Sequence, residues 1–327
     1  SWSVCLRRDQ SKEVSYELAP SADQSTRLAA AWLKLGVFAL AASGIFSVLI
    51  VLSRTPLLHY LVPWPDFFHT ALVVHVDLSV LIWFLAMAWV IWSLSSGDRW
   101  RLLARAALWL VAFGTLLMVL AHFSGEILPL MNNYIQVLQN PMFMTALGLV
   151  GAGFALLVLR SLINPAGVTL RSGQGALRLG AYLAALAAAF SLLALLWSWL
   201  QLRGLPAEQL PQGRAYYDYL CWGGGHVLQF THTLLLLLAW LWLAQRWGAL
   251  EPAGPGTVAL LLRVTALPVL ATVPIDLQSG IVSAQHRLAF TDLMRWGGLA
   301  SLPLGLLLGW SLLRTGYRKL HSPPLRN

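Results

Sequence analysis

Eight long apolar runs, separated by short polar or Gly- and Pro-rich connections, decide what this sequence can fold into. Each run holds about 20 mostly apolar residues, enough for an α-helix to cross a bilayer. Hydrocarbon offers backbone groups no hydrogen-bond partners, so such runs must satisfy their own N–H and C=O groups as helices. We predict an all-α, polytopic membrane helix bundle with spans at residues 29–53, 67–94, 102–123, 142–163, 177–202, 219–247, 257–275 and 293–313.

Composition agrees with this class. The 327 residues are 58% hydrophobic and 11% charged, whereas a soluble domain carries about 25% charged residues. A net charge of +9 would suggest nucleic acid in a soluble protein. Here the positive residues are concentrated on one side of the predicted bundle, so we expect no nucleic-acid partner. The predicted organisation is a polar tail at 1–28, a membrane domain at 29–315 and a cytoplasmic tail at 316–327.

The distribution of Lys and Arg predicts the orientation. Eight spans put both termini on one side, and that side holds 17 of the 22 Lys and Arg residues. The other side holds Arg54, Arg203, Arg214, Arg287 and Arg295. Because cytoplasmic loops carry the excess of positive residues, we expect both termini in the cytoplasm and the chain in a bacterial inner (cytoplasmic) membrane.

The second span carries ionisable groups inside an apolar run. His75 and Asp77 lie a turn or two past the start of the sequence FFHTALVVHVDLSV, and ionisable residues at such depth are functional candidates. Imidazole is a common ligand for haem iron and also suits copper. The alternative is that His75 hydrogen-bonds a neighbouring helix.

The sixth span opens with three glycines, Gly223 to Gly225, directly before His226. Such a patch allows a neighbouring helix to approach closely, and it also leaves room for a flat macrocycle or a metal. His232 follows six residues after His226, about 120° away around the helix. One helix cannot aim both side chains at one metal, so His226 is the ligand candidate and His232 is predicted to contact a helix.

Most of the remaining histidines also fall in the outer half of the bundle. These are His59, His69, His122 and His286. His286 is weighed as a surface or interface residue against a metal ligand. Asp276 and Gln278, at the outer end of the seventh span, are expected to face water.

Four segments resemble subunit I of the haem-copper oxidase superfamily, nearest to its cbb3-type and nitric-oxide-reductase-like branches. They are FFHTALVVHVDLSV, LPLMNNYIQVLQNPMFMTALGLVGAG, WGGGHVLQF and TVPIDLQSG, in that order. The resemblance covers about residues 30–313. It implies that His75 is a low-spin haem b ligand and that His226 binds copper or lines the haem pocket. His286 is a weaker candidate metal ligand.

The function implied by the resemblance is electron transfer to dioxygen or nitric oxide at a haem and copper site, as in the cytochrome c oxidase class. The implied partners are other membrane subunits of a respiratory complex, an outer-side cytochrome c or c-type subunit, and the lipid bilayer. In the family, the seventh span ends with two adjacent copper-binding histidines. Here Gln278 and Ser279 stand at those positions, and the nearby Gln285-His286 is a possible displaced remnant.

The family also has further spans, and a late one supplies two more haem ligands. Either those spans follow Asn327, or another chain supplies them, or the chain is a non-catalytic, oxidase-like scaffold subunit. A third hypothesis is a haem synthase-like protein of eight spans, which would be expected to have histidines in spans 2, 4, 6 and 8. Spans 4 and 8 have none. A transporter is the general alternative for a polytopic chain, but no broken helix pair stands out.

Overall fold

A computed structural model of the chain describes residues 16–18, 23–56, 66–124, 127–167, 171–249 and 253–321. Within these ranges it contains eight helices that are long and apolar enough to cross a membrane. The prediction of an all-α chain with eight helices that are long and apolar enough to cross a membrane is therefore confirmed. Most of the predicted N-terminal tail, and His59, lie outside the described residues.

The helices, labelled in chain order, are α1 Asp23–Arg54, α2 Phe67–Ser95, α3 Arg101–Ala121, α4 Pro141–Ile163, α5 Gly173–Arg203, α6 Arg214–Arg246, α7 Pro255–Gln278 and α8 Ala284–Arg318, which continues to His321. Several begin earlier than predicted, α8 most of all. A helix can extend beyond the hydrocarbon as long as its first turn is satisfied. The Ser283 hydroxyl does this for α8 by accepting a hydrogen bond from the His286 backbone N–H.

Three helices contain local changes of winding. In α2 a π-helical turn spans Asp77–Ile82. A 3₁₀ segment, Leu267–Ala271, interrupts α7, where Pro268 has no N–H for an α-helical bond. A second 3₁₀ segment, Gly298–Ser301, interrupts α8. Since π-helical turns are frequent at functional sites, the first of these directs attention to the middle part of α2, next to His75.

Consecutive helices pack as antiparallel neighbours, with α3 against α4 and α5 against α6. Small residues bring α3 and α4 together. A Cβ added to Gly114 would lie 2.9 Å from the Ala146 carbonyl oxygen, and one added to Gly153 would lie 2.9 Å from the Ala107 carbonyl oxygen. In lipid there is no hydrophobic driving force between helices, so they associate through close packing at small residues.

The connection between α3 and α4 forms a short antiparallel hairpin at the end of the bundle where α3 ends and α4 begins. Its strands are β1, Pro129–Leu130, and β2, Val137–Leu138. The turn between them carries Tyr134, which reaches α6. On the opposite side, where α1 begins and α8 ends, Ser96 pairs with Pro165 and joins the ends of α2 and α4. We call this side of the bundle the terminal side.

Candidate functional site

His75 lies between α1 and α2 with its ring half-buried. Its Nδ1 is 2.9 Å from the Ser43 carbonyl oxygen and 2.9 Å from the Ser43 hydroxyl. A carbonyl can only accept, so the proton lies on Nδ1. The Ser43 hydroxyl donates in turn to the His75 carbonyl oxygen at 3.0 Å. The remaining ring nitrogen, Nε2, is therefore the basic one. Metal-binding histidines are usually held in this way by a backbone carbonyl on the other nitrogen.

The π-helical turn starts two residues after His75. Its first residue, Asp77, is 2% exposed, and its Oδ1 accepts a hydrogen bond from the Gln136 backbone N–H at 3.2 Å. Gln136 belongs to the hairpin, and its side-chain NH₂ donates to the Asn132 carbonyl oxygen at 2.7 Å. Asp77 therefore ties the hairpin to α2. The position of Asp77 in the sequence suggested a chemical role. In the structure its carboxylate instead holds the hairpin in place.

His226 is buried and contacts the hairpin residue Tyr134. The imidazole Nδ1 donates to the Trp222 carbonyl oxygen at 2.7 Å. The Tyr134 hydroxyl lies 2.7 Å from Nδ1 and 3.2 Å from Nε2. Burial raises the pKa of Tyr134 to about 12, while a hydrogen bond from Gln229 lowers it by a smaller amount. Tyr134 is therefore neutral at physiological pH, and its hydroxyl can donate to the bare nitrogen of His226.

The three glycines before His226 admit three different neighbours. A Cβ on Gly223 would lie 3.0 Å from the Phe290 ring, and one on Gly224 would lie 2.9 Å from the Ser191 carbonyl oxygen. A Cβ on Gly225 would overlap the Tyr134 ring. Of the two alternatives for the glycine patch, close packing or room for a flat group, the structure shows close packing. The flat group beside Gly225 is the ring of Tyr134.

His286 is 1% exposed and pairs with Asp276, with 3.1 Å between Nε2 and Oδ1. The expectation that Asp276 faces water is wrong, because its side chain is only 10% exposed and contacts His286. His286, weighed as a surface or interface residue, is buried at the contact between α7 and α8. Gln278 is exposed, as predicted. Asp276 accepts from Nε2–H, so Nδ1 of His286 is the bare nitrogen, and it has no hydrogen-bond partner among the described residues.

The structure brings His226 and His286 to the same aromatic ring. Phe290 lies 6.4 Å from the His226 ring and 4.9 Å from the His286 ring, centroid to centroid. The Trp222 indole N–H donates to the Arg287 carbonyl oxygen at 3.0 Å and joins α6 to α8. His75 has a separate set of partners on α1. Among the described residues, no three His, Cys, Asp or Glu side chains are close enough to hold one metal ion.

The other outer histidines have different surroundings. His69 is about half exposed and pairs with Asp66. His122 is buried, with its ring against Phe46 and Phe67, and burial lowers its pKa to about 4. His232 contacts the ring of Phe84 on α2, which confirms the predicted helix contact.

An apolar cavity of about 150 Å³ lies beside Tyr134, between α2, α4, α5 and α6. Gly224 and Gly225 line it, together with Leu81 and Phe154. Pockets for small organic ligands begin at about 300 Å³. A haem therefore does not fit beside Tyr134 unless the hairpin moves, whereas the half-buried ring of His75 is not enclosed in this way.

Sequence reasoning missed Ser43, whose carbonyl assigns the proton of His75, and Tyr134, whose hydroxyl hydrogen-bonds the imidazole of His226. Tyr134 stood within a segment of the family resemblance, and the glycines predicted that something would approach α6 closely. No local sequence pattern indicated that the group approaching α6 would come from the hairpin. Ser43 had no signal beyond being a small polar residue in an apolar run.

Comparison with known proteins gives two bacterial relatives. An uncharacterized protein of Rickettsia prowazekii is 28% identical over 240 residues, which are 65% of this chain and 46% of that protein. An uncharacterized protein of Aquifex aeolicus is 27% identical over 223 residues, which are 66% of this chain and 53% of that protein. The chain thus spans about half the length of the curated relatives it matches. No model of a known protein family matches the sequence, and no solved structure matches it.

Proposed function

We propose that this chain is the haem-holding part of a respiratory membrane complex resembling the haem-copper oxidases, in which His75 would bind a b-type haem. The observation that carries the proposal is the hydrogen bond from His75 Nδ1 to the Ser43 carbonyl oxygen. It assigns the proton to Nδ1 and orients the ring, so Nε2 is left as a basic nitrogen for iron.

A bound haem would supply one-electron transfer. The reduction of dioxygen or nitric oxide would take place elsewhere in the complex. The chain's own residues orient the ligand. Ser43 restrains the imidazole from α1, and the Ser79 hydroxyl donates to the His75 carbonyl oxygen at 2.8 Å from within the π-helical turn. Burial of these polar contacts in a low-dielectric setting strengthens them.

The proposed orientation has both termini in the cytoplasm of a bacterium, with the chain in the inner membrane. His75, Tyr134 and His226 then lie toward the outer face. An outer-side cytochrome c, or a c-type subunit of the same complex, is the electron donor that this placement suits. The excess of Lys and Arg on the terminal side supports this orientation.

A copper ion at His226 stays a prediction from the family resemblance. The rings of His226 and His286 lie beside the same Phe290 ring. Nδ1 of His286 has no hydrogen-bond partner among the described residues, whereas Nε2 of His226 lies 3.2 Å from the Tyr134 hydroxyl. A third ligand would have to come from outside the described residues. No step of the proposed electron transfer is therefore assigned to copper.

The test is optical spectroscopy of the full-length protein purified from bacterial membranes. The wild type is expected to show the reduced-minus-oxidised bands of a b-type haem, and His75→Ala is expected to lose them. His69→Ala is the matched control, because His69 lies on the same helix but is exposed and pairs with Asp66. Unchanged bands in His75→Ala would refute the assignment of this ligand.

The second candidate is a non-catalytic scaffold subunit. The observation that favours it is that Tyr134, Phe290 and α5 occupy the space beside the three glycines. A scaffold would show no haem bands in the wild type. It would also keep its membrane partners in His75→Ala, as judged by co-purification, whereas a haem-holding subunit would show bands that depend on His75.

A further inference from the structure

A cavity lies on the terminal side of the bundle, away from the candidate histidines. It has a volume of about 620 Å³ and is bounded by the first turns of α1, the first turns of α3 and the last turn of α4. Four guanidinium groups line it, and we call it the basic pocket: Arg27, Arg101, Arg105 and Arg160.

Arg160 is the deepest of the four, with 3% of its surface exposed. Its Nη2 donates to the Gly97 carbonyl oxygen at 2.9 Å. Its Nε and Nη1 are buried and have no hydrogen-bond partner among the described residues. Leaving N–H groups of a cation buried and unmatched is costly. Buried polar groups of native proteins nearly always have partners, so these two donors indicate an acceptor in the pocket.

The charge of the pocket specifies the acceptor. Among the described residues, Asp98 is the carboxylate that lines the pocket, and it already accepts a hydrogen bond from the Ser25 hydroxyl at 3.0 Å. Four guanidiniums against one carboxylate favour an anion. Guanidinium forks match the oxygens of phosphate particularly well.

The apolar part of the pocket indicates where the anion comes from. Leu28, Leu108 and Trp109 line the same cavity. The Trp109 side chain is 72% exposed on the lateral surface of the bundle, where an acyl chain would lie. Tryptophan at this level is typical of the membrane interface. A phosphate next to apolar, lipid-facing side chains is the chemistry of a phospholipid.

We propose that the basic pocket binds the phosphate headgroup of an anionic phospholipid, with Arg160 donating to phosphate oxygens and Arg27 and Arg105 closing the rim. Basic pockets between transmembrane helices on the cytoplasmic side bind such headgroups in membrane proteins. The bound lipid joins α1, α3 and α4 at their ends. The site is separate from His75 and does not depend on the proposed redox function.

The test is a titration of the full-length protein, purified in a neutral detergent and followed by native mass spectrometry. Cardiolipin, phosphatidylglycerol and phosphatidylcholine are added in separate series. We expect the two anionic lipids to bind and phosphatidylcholine to bind at least tenfold more weakly. Arg27→Gln and Arg105→Gln should each weaken anionic lipid binding about tenfold, the effect of one lost charge-assisted hydrogen bond.

Arg99→Gln is the matched control, because Arg99 is exposed on the terminal side but does not line the pocket. It should bind as the wild type does. Arg27 and Arg105 are exposed, so their variants should fold even if Arg160→Gln does not. Equal binding of phosphatidylcholine, or an equal loss in Arg99→Gln, would overturn the proposal.

Inorganic phosphate distinguishes the two sources of the anion. If the pocket is a lipid site, millimolar phosphate leaves lipid binding unchanged. Full displacement of the lipid by phosphate would assign the pocket to a small soluble anion and overturn the lipid assignment.

Discussion

Replacing Gly225 by alanine tests how the hairpin and α6 fit together around His226. The added Cβ would overlap the ring of Tyr134, so the ring has to move away from His226. Overpacking of this kind costs about 1–3 kcal/mol, and loss of the hydrogen bond between Tyr134 and His226 costs about 1 kcal/mol more. Alanine recovers up to about 1 kcal/mol of helix propensity. We therefore expect a net loss of about 1–3 kcal/mol.

The assay is unfolding in mixed micelles of mild detergent and sodium dodecyl sulfate, followed by near-ultraviolet circular dichroism. Gly148→Ala is the matched control, because Gly148 is in a membrane helix and its added Cβ would contact nothing within 4 Å. That variant should be as stable as the wild type or slightly more stable.

A double-mutant cycle makes the test specific. In a Tyr134→Ala background the overlap is absent, so Gly225→Ala should cost nothing or stabilise the protein. The coupling between the two sites should then be about 1–3 kcal/mol. Independent effects at the two positions, or a Gly225→Ala protein as stable as the wild type, would show that Tyr134 does not pack against α6 as described.

Substitutions at three further positions are tested by the same unfolding assay. Asp77→Ala should cost about 1–3 kcal/mol because it leaves the Gln136 N–H without its acceptor, whereas Asp77→Asn keeps an acceptor and should cost less; equal losses would contradict this contact. Burial lowers the pKa of His122 to about 4, against about 6.5 for a free histidine, so the unfolded state binds more protons between these two pH values. Stability should be complete above pH 6.5 and fall by up to about 3 kcal/mol as the pH drops toward 4, and His122→Leu should lose this slope; a variant with the wild-type slope would refute it. Ser43→Ala removes the hydroxyl that holds His75 and should cost about 1 kcal/mol, while the Ser43 carbonyl still holds Nδ1; a stability unchanged from the wild type would show that the hydroxyl adds nothing.

The spans could be predicted because they depend on local properties. A run such as 142–163 is apolar and long enough, and its backbone can satisfy itself only as a helix; the helix observed is Pro141–Ile163. The boundaries were less certain where polar residues continue a helix past the membrane. This is why the last helix begins at Ala284 rather than near residue 293.

The partners of the candidate site could not be predicted in the same way. The sequence placed His75 and His226 near one end of their helices, but it did not say which way each ring turns or what holds it. That depends on how helices rotate against each other and on where the hairpin folds. Tyr134 and His226 are 92 residues apart and meet only through the α3–α4 connection.

By itself, the sequence determined the number of spans, their approximate ends and the glycine patch on α6, because each of these is a property of one continuous segment. Only the tertiary structure decided that Tyr134 fills that patch, that Asp276 pairs with the buried His286, and that Ser43 assigns the proton of His75. These are contacts between distant segments, and their geometry comes from packing rather than from any local pattern.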